Sequence, residues 1–251
     1  MNIFASDLDQ TLIYSKRWIE NEKNVKCVEI YKDSPLSYMD LEAISNLKKI
    51  LLRNKFVPIT TRTIEQYNRI KLPVEVQTAV VANGGIIIEN GEIDEVWSER
   101  IKSEISESLP LNLFMERLNE LESVEGVLKI RQAENLFAYL VVEEELFDRK
   151  NIKYIMDKID EMKWKCSDQG RKIYFLPKGL SKGAALRYLR EKYNAIKVVS
   201  AGDSKLDESM DCVSEVFITP GHSKLENYEK TKAKGVVSAV EILKRTIEVF
   251  E

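Results

Sequence analysis

Short apolar runs recur along the chain, each stopping at polar or small residues. Met1 to Leu8 is the first, and a turn through Asp9, Gln10 and Thr11 follows it. Phe56-Val57-Pro58-Ile59 stops at Thr60-Thr61-Arg62, and Ala79-Val80-Val81-Ala82 stops at Asn83-Gly84-Gly85. Ile86-Ile87-Ile88 runs to the turn Glu89-Asn90-Gly91, while Ile196 to Ser200 and Glu215 to Ile218 repeat the pattern late in the chain. Runs this short, bounded by turn residues, predict buried strands. Between them the period changes. Leu41, Ile44, Leu47, Ile50 and Leu51 follow a helical repeat behind a capping candidate at Asp40, and further helices are predicted over 63–71, 182–193 and 236–249. Strands alternating with helices predict an α/β fold on a doubly wound parallel sheet.

The middle of the chain breaks this alternation. A helix over 111–121 precedes a strand pair at 124–130 and 136–142, and a helix over 151–162 precedes a pair at 163–166 and 172–176. Helix, strand, strand occurs twice, which predicts a small α+β domain on an antiparallel sheet. The parallel pattern resumes afterwards, so this domain is inserted: a core of 1–91 and 178–251 surrounds an insertion of 92–177. Residues 14–38 fit neither pattern. Val25 to Tyr31 has strand character, and the segment could form a hairpin at the mouth of a site or a plain surface excursion.

Composition narrows the function classes. The chain has 251 residues, with 38 Lys+Arg against 41 Asp+Glu, a net charge of −3. Globular proportions exclude a disordered chain. The near-neutral balance argues against nucleic acid as a partner, which usually needs a basic domain. No run approaches the roughly 18 apolar residues of a membrane span, and the first seven residues lack a basic leader, so a cytoplasmic protein with no membrane partner is expected. Cys27, Cys166 and Cys212 are widely spaced and fit reduced thiols. One histidine, His222, excludes a multi-histidine metal site. Oligomeric state is not marked.

Candidate chemistry sits where the buried strands end. In Asp7-Leu8-Asp9-Gln10-Thr11 two carboxylates lie two residues apart just past a strand, and open α/β sheets bind ligands at such ends. A second acidic pair, Asp203 and Asp207, follows the strand ending at Ser200. Carboxylates this close repel unless a cation or proton intervenes, and an all-oxygen cluster suits Mg²⁺. Thr60 offers a hydroxyl at another strand end. Lys182 opens a helix, where its charge adds to the helix N-terminus and favours a phosphate.

These pieces in this order resemble the haloacid dehalogenase-like phosphohydrolase superfamily. Its pattern is DxDxT, a strand ending in Ser/Thr, a Lys, and GDxxxD, here Asp7/Asp9/Thr11, Thr60, Lys182 and Asp203/Asp207. The doubled helix-strand-strand insertion, the Asn83-Gly84-Gly85 turn and the run Leu176 to Gly183 resemble its Cof-like, sucrose-phosphatase-like branch. The resemblance spans nearly the whole chain. It implies a Rossmann-like core with an inserted α+β cap that closes over a small phosphorylated metabolite, such as a sugar phosphate, and excludes water. It implies Asp7 as nucleophile and Asp9 as general acid and base. Thr11, Thr60, Thr61 and Lys182 would hold the phosphoryl group. Mg²⁺ would bind the carboxylates of Asp7 and Asp203 and the backbone carbonyl of Asp9, with Asp207 as ligand or close support. Arg62, Asn83, Gly84, Ser204 and His222 are candidate substrate contacts, although bracing of the loop is the favoured role for Arg62. Gln10 and Thr61 stand where many members have Gly, and Leu206 where the branch often has Asn. A sugar phosphomutase using the same aspartyl-phosphate, and a non-catalytic phosphate-binding module, are the alternatives.

Overall fold

The structure, a computed structural model, describes residues 1–19 and 21–251; Glu20, inside the 14–38 segment, lies outside the described residues. The chain divides into two compact units, Met1–Trp97 with Ser181–Glu251, and Ser98–Leu180.

The first unit is built on β1 (Ile3–Ser6), whose four side chains are all buried. Next come the hairpin strands β2 (Val25–Tyr31) and β3 (Ser34–Asp40), then α1 (Leu41–Leu51) and β4 (Lys55–Pro58). Helix α1 starts where its capping residue dictates: Asp40 Oδ1 accepts from the amides of Glu42 (2.7 Å) and Ala43 (3.2 Å). A short helix α2 (Ile64–Asn68) carries a reciprocal cap between Thr63 and Gln66. Strands β5 (Thr78–Val81), β6 (Ile86–Glu89) and β7 (Glu92–Ile93) form an antiparallel ribbon, followed by α3 (Glu95–Ile105), inside which the unit boundary falls.

In the second unit, α4 (Leu111–Asn119) precedes β8 (Val127–Ala133) and β9 (Phe137–Val142). A 3-10 turn at Arg149–Ile152 and α5 (Lys153–Met156) precede β10 (Trp164–Gln169) and β11 (Lys172–Pro177). The antiparallel order is β10-β11-β9-β8. Its core centres on Phe114 stacked on Trp164 at 3.9 Å between ring centroids. Trp164 Nε1 donates to the Leu109 carbonyl, so the indole is buried without an orphaned donor. The doubled helix-strand-strand order is present. Its second helix is shorter than the 151–162 expected, because only Lys153–Met156 holds regular helix.

The chain then returns to the first unit through α6 (Lys182–Lys192), β12 (Val198–Ala201), β13 (Val216–Thr219), β14 (Glu229–Lys230) and α7 (Ser238–Phe250). The main sheet is all parallel in the order β14-β13-β12-β1-β4, and a parallel bridge from Ile59 to Val80 joins β5 to its edge. Apolar faces of α1 (Ala43, Leu47, Ile50) and α7 (Ala239, Ile242, Leu243) bury one side against Phe4, Phe56 and Val199. β1 lies between β12 and β4, so the segments leaving all three strands emerge at one edge. No helix among the described residues is long and apolar enough to cross a membrane.

One element, α3, lies where the sequence pattern predicts none, although Trp97, Ile101 and Ile105 keep a spacing of four. Of the two readings of 14–38, the hairpin is the one the structure holds: β2 and β3 pair over Val25–Asp40, with Val28 and Glu29 buried.

Candidate active site

Three carboxylates and one ammonium form the floor of the site. Lys182, the first residue of α6, is only 1% exposed. Its Nζ donates to Asp7 Oδ1 at 2.6 Å and to Asp207 Oδ1 at 2.5 Å. Helix α6 fixes the lysine's origin: Ser181 Oγ caps it by accepting from the Ala184 amide at 3.2 Å. Asp7 is held at the end of β1 by its own amide, which donates to the Ala201 carbonyl at 2.9 Å. Asp207 Oδ2 accepts from the amides of Asp203 (3.1 Å) and Ser204 (2.9 Å) and from Ser204 Oγ (2.8 Å), which folds the loop after β12 around a fully buried carboxylate. Asp7, Asp203 and Asp207 each offer an oxygen, and these lie within 4.8 Å of one another.

Crowding of like charge in a buried place sets the titration of this floor. Burial pushes the Asp7 carboxyl up to about 7; the Lys182 charge pulls the other way, and Asp207 and Asp9 add to the rise. Burial, with the charges of Asp207 and Asp7, also holds Asp203 well above the usual carboxylate range. Desolvation works against the Lys182 ammonium, but the charges of Asp207 and Asp7 overcome it and hold it above the usual lysine range.

Asp9 stands apart from the floor with its side chain 48% exposed. Arg62 grips it with Nε to Oδ2 at 2.7 Å and Nη2 to Oδ1 at 2.8 Å. The Arg62 amide donates to Thr60 Oγ1 at 3.2 Å, so one residue ties Asp9 to Thr60. The Asn83 amide donates in turn to the Thr60 carbonyl at 2.9 Å. Gly84, at φ +96°, packs so closely that an added Cβ would meet the Ser181 carbonyl oxygen at 2.2 Å. Asn83 Oδ1 and Nδ2, and separately Thr11 Oγ1, are buried polar atoms without a hydrogen-bond partner among the described residues.

His222 faces the protein. Its ring lies 4.5 Å from that of Trp18, Nδ1 accepts from the Gly235 amide at 3.2 Å, and Nε2 donates to the Gln10 carbonyl at 3.1 Å. Gln10 takes φ 61°, a left-handed conformation that glycine adopts more readily, and the bond to His222 holds it there. Thr61 is half-buried beside Thr60, and among the described residues no side-chain bond ties it to the floor. The structure therefore brings Asp7, Lys182, Asp203, Asp207 and Ser204 into one cluster. It links Asp9, Arg62, Thr60 and Asn83 in a second chain of contacts and sets His222 behind the loop. Sequence reasoning missed Glu29, whose carboxylate is 1% exposed and accepts from Arg62.

The sequence profile of the family described as sucrose-6F-phosphate phosphohydrolase matches residues 1–236. No curated protein sequence matches the chain. Among solved structures, the sucrose-phosphatase from Synechocystis in complex with sucrose and phosphate aligns at 12% identity, covering 97% of each chain, with a TM-score of 0.69. A protein from Thermoplasma acidophilum aligns at 14% identity over 98% of this chain and 97% of its own, with a TM-score of 0.65. A trehalose-6-phosphate phosphatase related protein aligns at 17% identity over 99% and 98%, with a TM-score of 0.57. At these identities the structural likeness establishes the fold.

Proposed function

The chain belongs to the sucrose-6F-phosphate phosphohydrolase family and is a haloacid dehalogenase-like phosphatase; from that premise we propose that it hydrolyses a phosphomonoester of a small sugar through an aspartyl-phosphate at Asp7, with Mg²⁺ as cofactor. The observation that carries the reading is Lys182, buried between Asp7 and Asp207 with Asp203 beside them. A carboxylate attacks a dianionic phosphate poorly unless positive charge is already in place. Reduced thiols at the three free cysteines fit a cytoplasmic setting.

The donor set fits Mg²⁺, because the clustered oxygens are hard and the raised Asp7 and Asp203 carboxyls mark a floor short of positive charge. The carboxylates of Asp7, Asp203 and Asp207 and the Asp9 carbonyl would hold it. When bound, the ion offsets the repulsion between the Asp7 carboxylate and the phosphoryl group.

The chemistry divides into two displacements. Lys182 holds Asp7 Oδ1, which leaves Oδ2 to attack phosphorus as the bond to the sugar oxygen breaks. Asp9 gives that oxygen its proton. Asp9 then takes a proton from water, which attacks the acyl phosphate, releases inorganic phosphate and restores Asp7. The Thr60 hydroxyl, already accepting from Arg62, turns its own proton to a phosphoryl oxygen. Thr11, Thr61 and Lys182 share that load. The unpartnered side-chain amide of Asn83, with Gly84 and Ser204, meets the remaining polar atoms of the substrate.

The test is a panel of phosphomonoesters led by sucrose 6F-phosphate, trehalose 6-phosphate and hexose phosphates, with inorganic phosphate measured with Mg²⁺ and with a chelator. We expect Mg²⁺-dependent release from at least one sugar phosphate. Release that is indifferent to chelation counts against the cofactor, and isomerisation of a hexose phosphate without release counts against hydrolysis.

A further inference from the structure

The β2–β3 hairpin carries a bulge. Its register slips between Cys27 and Glu29 and again between Glu29 and Ile30. A bulge rotates the strand, so Val28 and Glu29 both face inward while Ile30 turns out to solvent. An inward glutamate is costly unless its oxygens are satisfied. Those of Glu29 are: Oε1 accepts from Arg62 Nη1 (2.8 Å) and Arg69 Nε (3.3 Å), and Oε2 from Arg62 Nη2 (2.9 Å) and Ser37 Oγ (2.7 Å). Arg62 completes its own set on the other side. Nε and Nη2 hold Asp9, and the second Nη1 proton goes to the Gln66 carbonyl at 3.3 Å. All five guanidinium donors are thereby used, two on Asp9, two on Glu29 and one on Gln66.

From this geometry we infer that Glu29 is a positioning residue: it fixes the plane of the Arg62 guanidinium, which in turn fixes the carboxylate of Asp9 for proton transfer. The inference rests on the phosphatase reading and on the acid–base role of Asp9 within it. Asp9 is half-exposed and has no other side-chain partner among the described contacts, so without the fork its carboxylate would turn freely. Proton transfer demands hydrogen-bond reach, and an unbraced carboxylate spends little time in it. Arg62 lies between two carboxylates and has no donor left over. It therefore gives little to substrate binding, and the effect belongs in kcat.

The experiment compares the full-length wild type with Glu29→Gln, Glu29→Asp and Arg62→Ala on the best ester of the panel, with Mg²⁺ saturating. Glu29→Gln keeps the shape and removes the charge. We expect it to lower kcat about 10- to 100-fold with KM unchanged within about twofold. Glu29→Asp should recover part of that loss. Added guanidinium should raise kcat of Arg62→Ala but not of the Glu29→Gln/Arg62→Ala double variant. Should Glu29→Gln fail to fold, Ser37→Ala removes one bond to the same carboxylate and is expected to lower kcat about two- to fivefold in the same pattern. A rise in KM with kcat intact overturns the proposal and makes Arg62 a substrate contact, and unchanged kcat and KM overturn it as well. A wild type inert on every ester is a different result: it removes the phosphatase reading itself.

Discussion

Single residues at this site act through what they prevent from moving. His222 is the clearest case. Its two nitrogens are committed, one accepting from Gly235 and one donating to the Gln10 carbonyl, and burial holds its pKa below the ordinary 6.5. The neutral form belongs to the folded loop, so its contribution to stability is present above the unfolded value near 6.5 and is lost as pH falls through the lower folded value. Protonation adds a hydrogen to Nδ1 and removes the acceptor for Gly235. An NMR titration should place His222 below 6.5 and shift the Gly235 amide with the same midpoint; a midpoint above 6.5 would contradict the tautomer described. The floor residues were legible in sequence because their spacing is local: Asp7 to Asp9, Asp203 to Asp207, Lys182 at a helix start. Glu29 was not. Strict alternation would put it on the face of Cys27 and Tyr31, and only a bulge, which leaves no mark in the hydrophobic pattern, turns it inward beside Val28. The inward role of His222 was hidden for a related reason, since its partners Trp18 and Gln10 come from the other end of the chain.

At the level of elements, the site depends on two chain segments meeting at nearly zero clearance. The turn after β5 presses Gly84 against Ser181, the cap of α6, and α6 carries Lys182. A methyl group at Gly84 meets both a positive φ and a backbone oxygen that has no room to yield. Gly84→Ala should destabilise the protein by about 2–4 kcal/mol, read from urea unfolding. An equally stable variant would show that the approach of the two segments is not tight. The sequence carried β1, β4, β12 and β13 of the parallel sheet, because short apolar runs that stop at polar or small residues have few other readings. It carried less of the edges. β14 has two exposed residues, and its pairing is set by the neighbouring strand rather than by its own pattern. Helix α3 was obscured because Val96 is exposed and acidic and basic residues interrupt its apolar stripe, leaving Trp97, Ile101 and Ile105 as its only periodic signal.

For the whole molecule, a net charge of −3 understates the local problem. Asp7, Asp203 and Asp207 face Lys182, and Asp9 and Glu29 face Arg62 with Arg69 on Glu29 as well, so five carboxylates meet three cations around the place proposed for an anionic substrate. The two cations nearest Asp7 and Asp9 are not loosely held: Lys182 is shared by two carboxylates, and Arg62 has spent every donor. A site with that balance cannot take a phosphate dianion through its side chains alone, which is why Mg²⁺ stands in the proposal as a requirement rather than an accessory. It also suits the proposed nucleophile, a carboxylate already paired with a buried ammonium. The claim on which all of this turns is a covalent phosphate on Asp7. Acid quenching during turnover of a ³²P-labelled sugar phosphate, followed by peptide mapping, tests it directly. The account predicts a transient, hydroxylamine-labile phosphate on the peptide containing Asp7, absent from Asp7→Asn, whose turnover falls by about a thousandfold or more. Phosphate release by Asp7→Asn at the wild-type rate, or label trapped on any other residue, would contradict it.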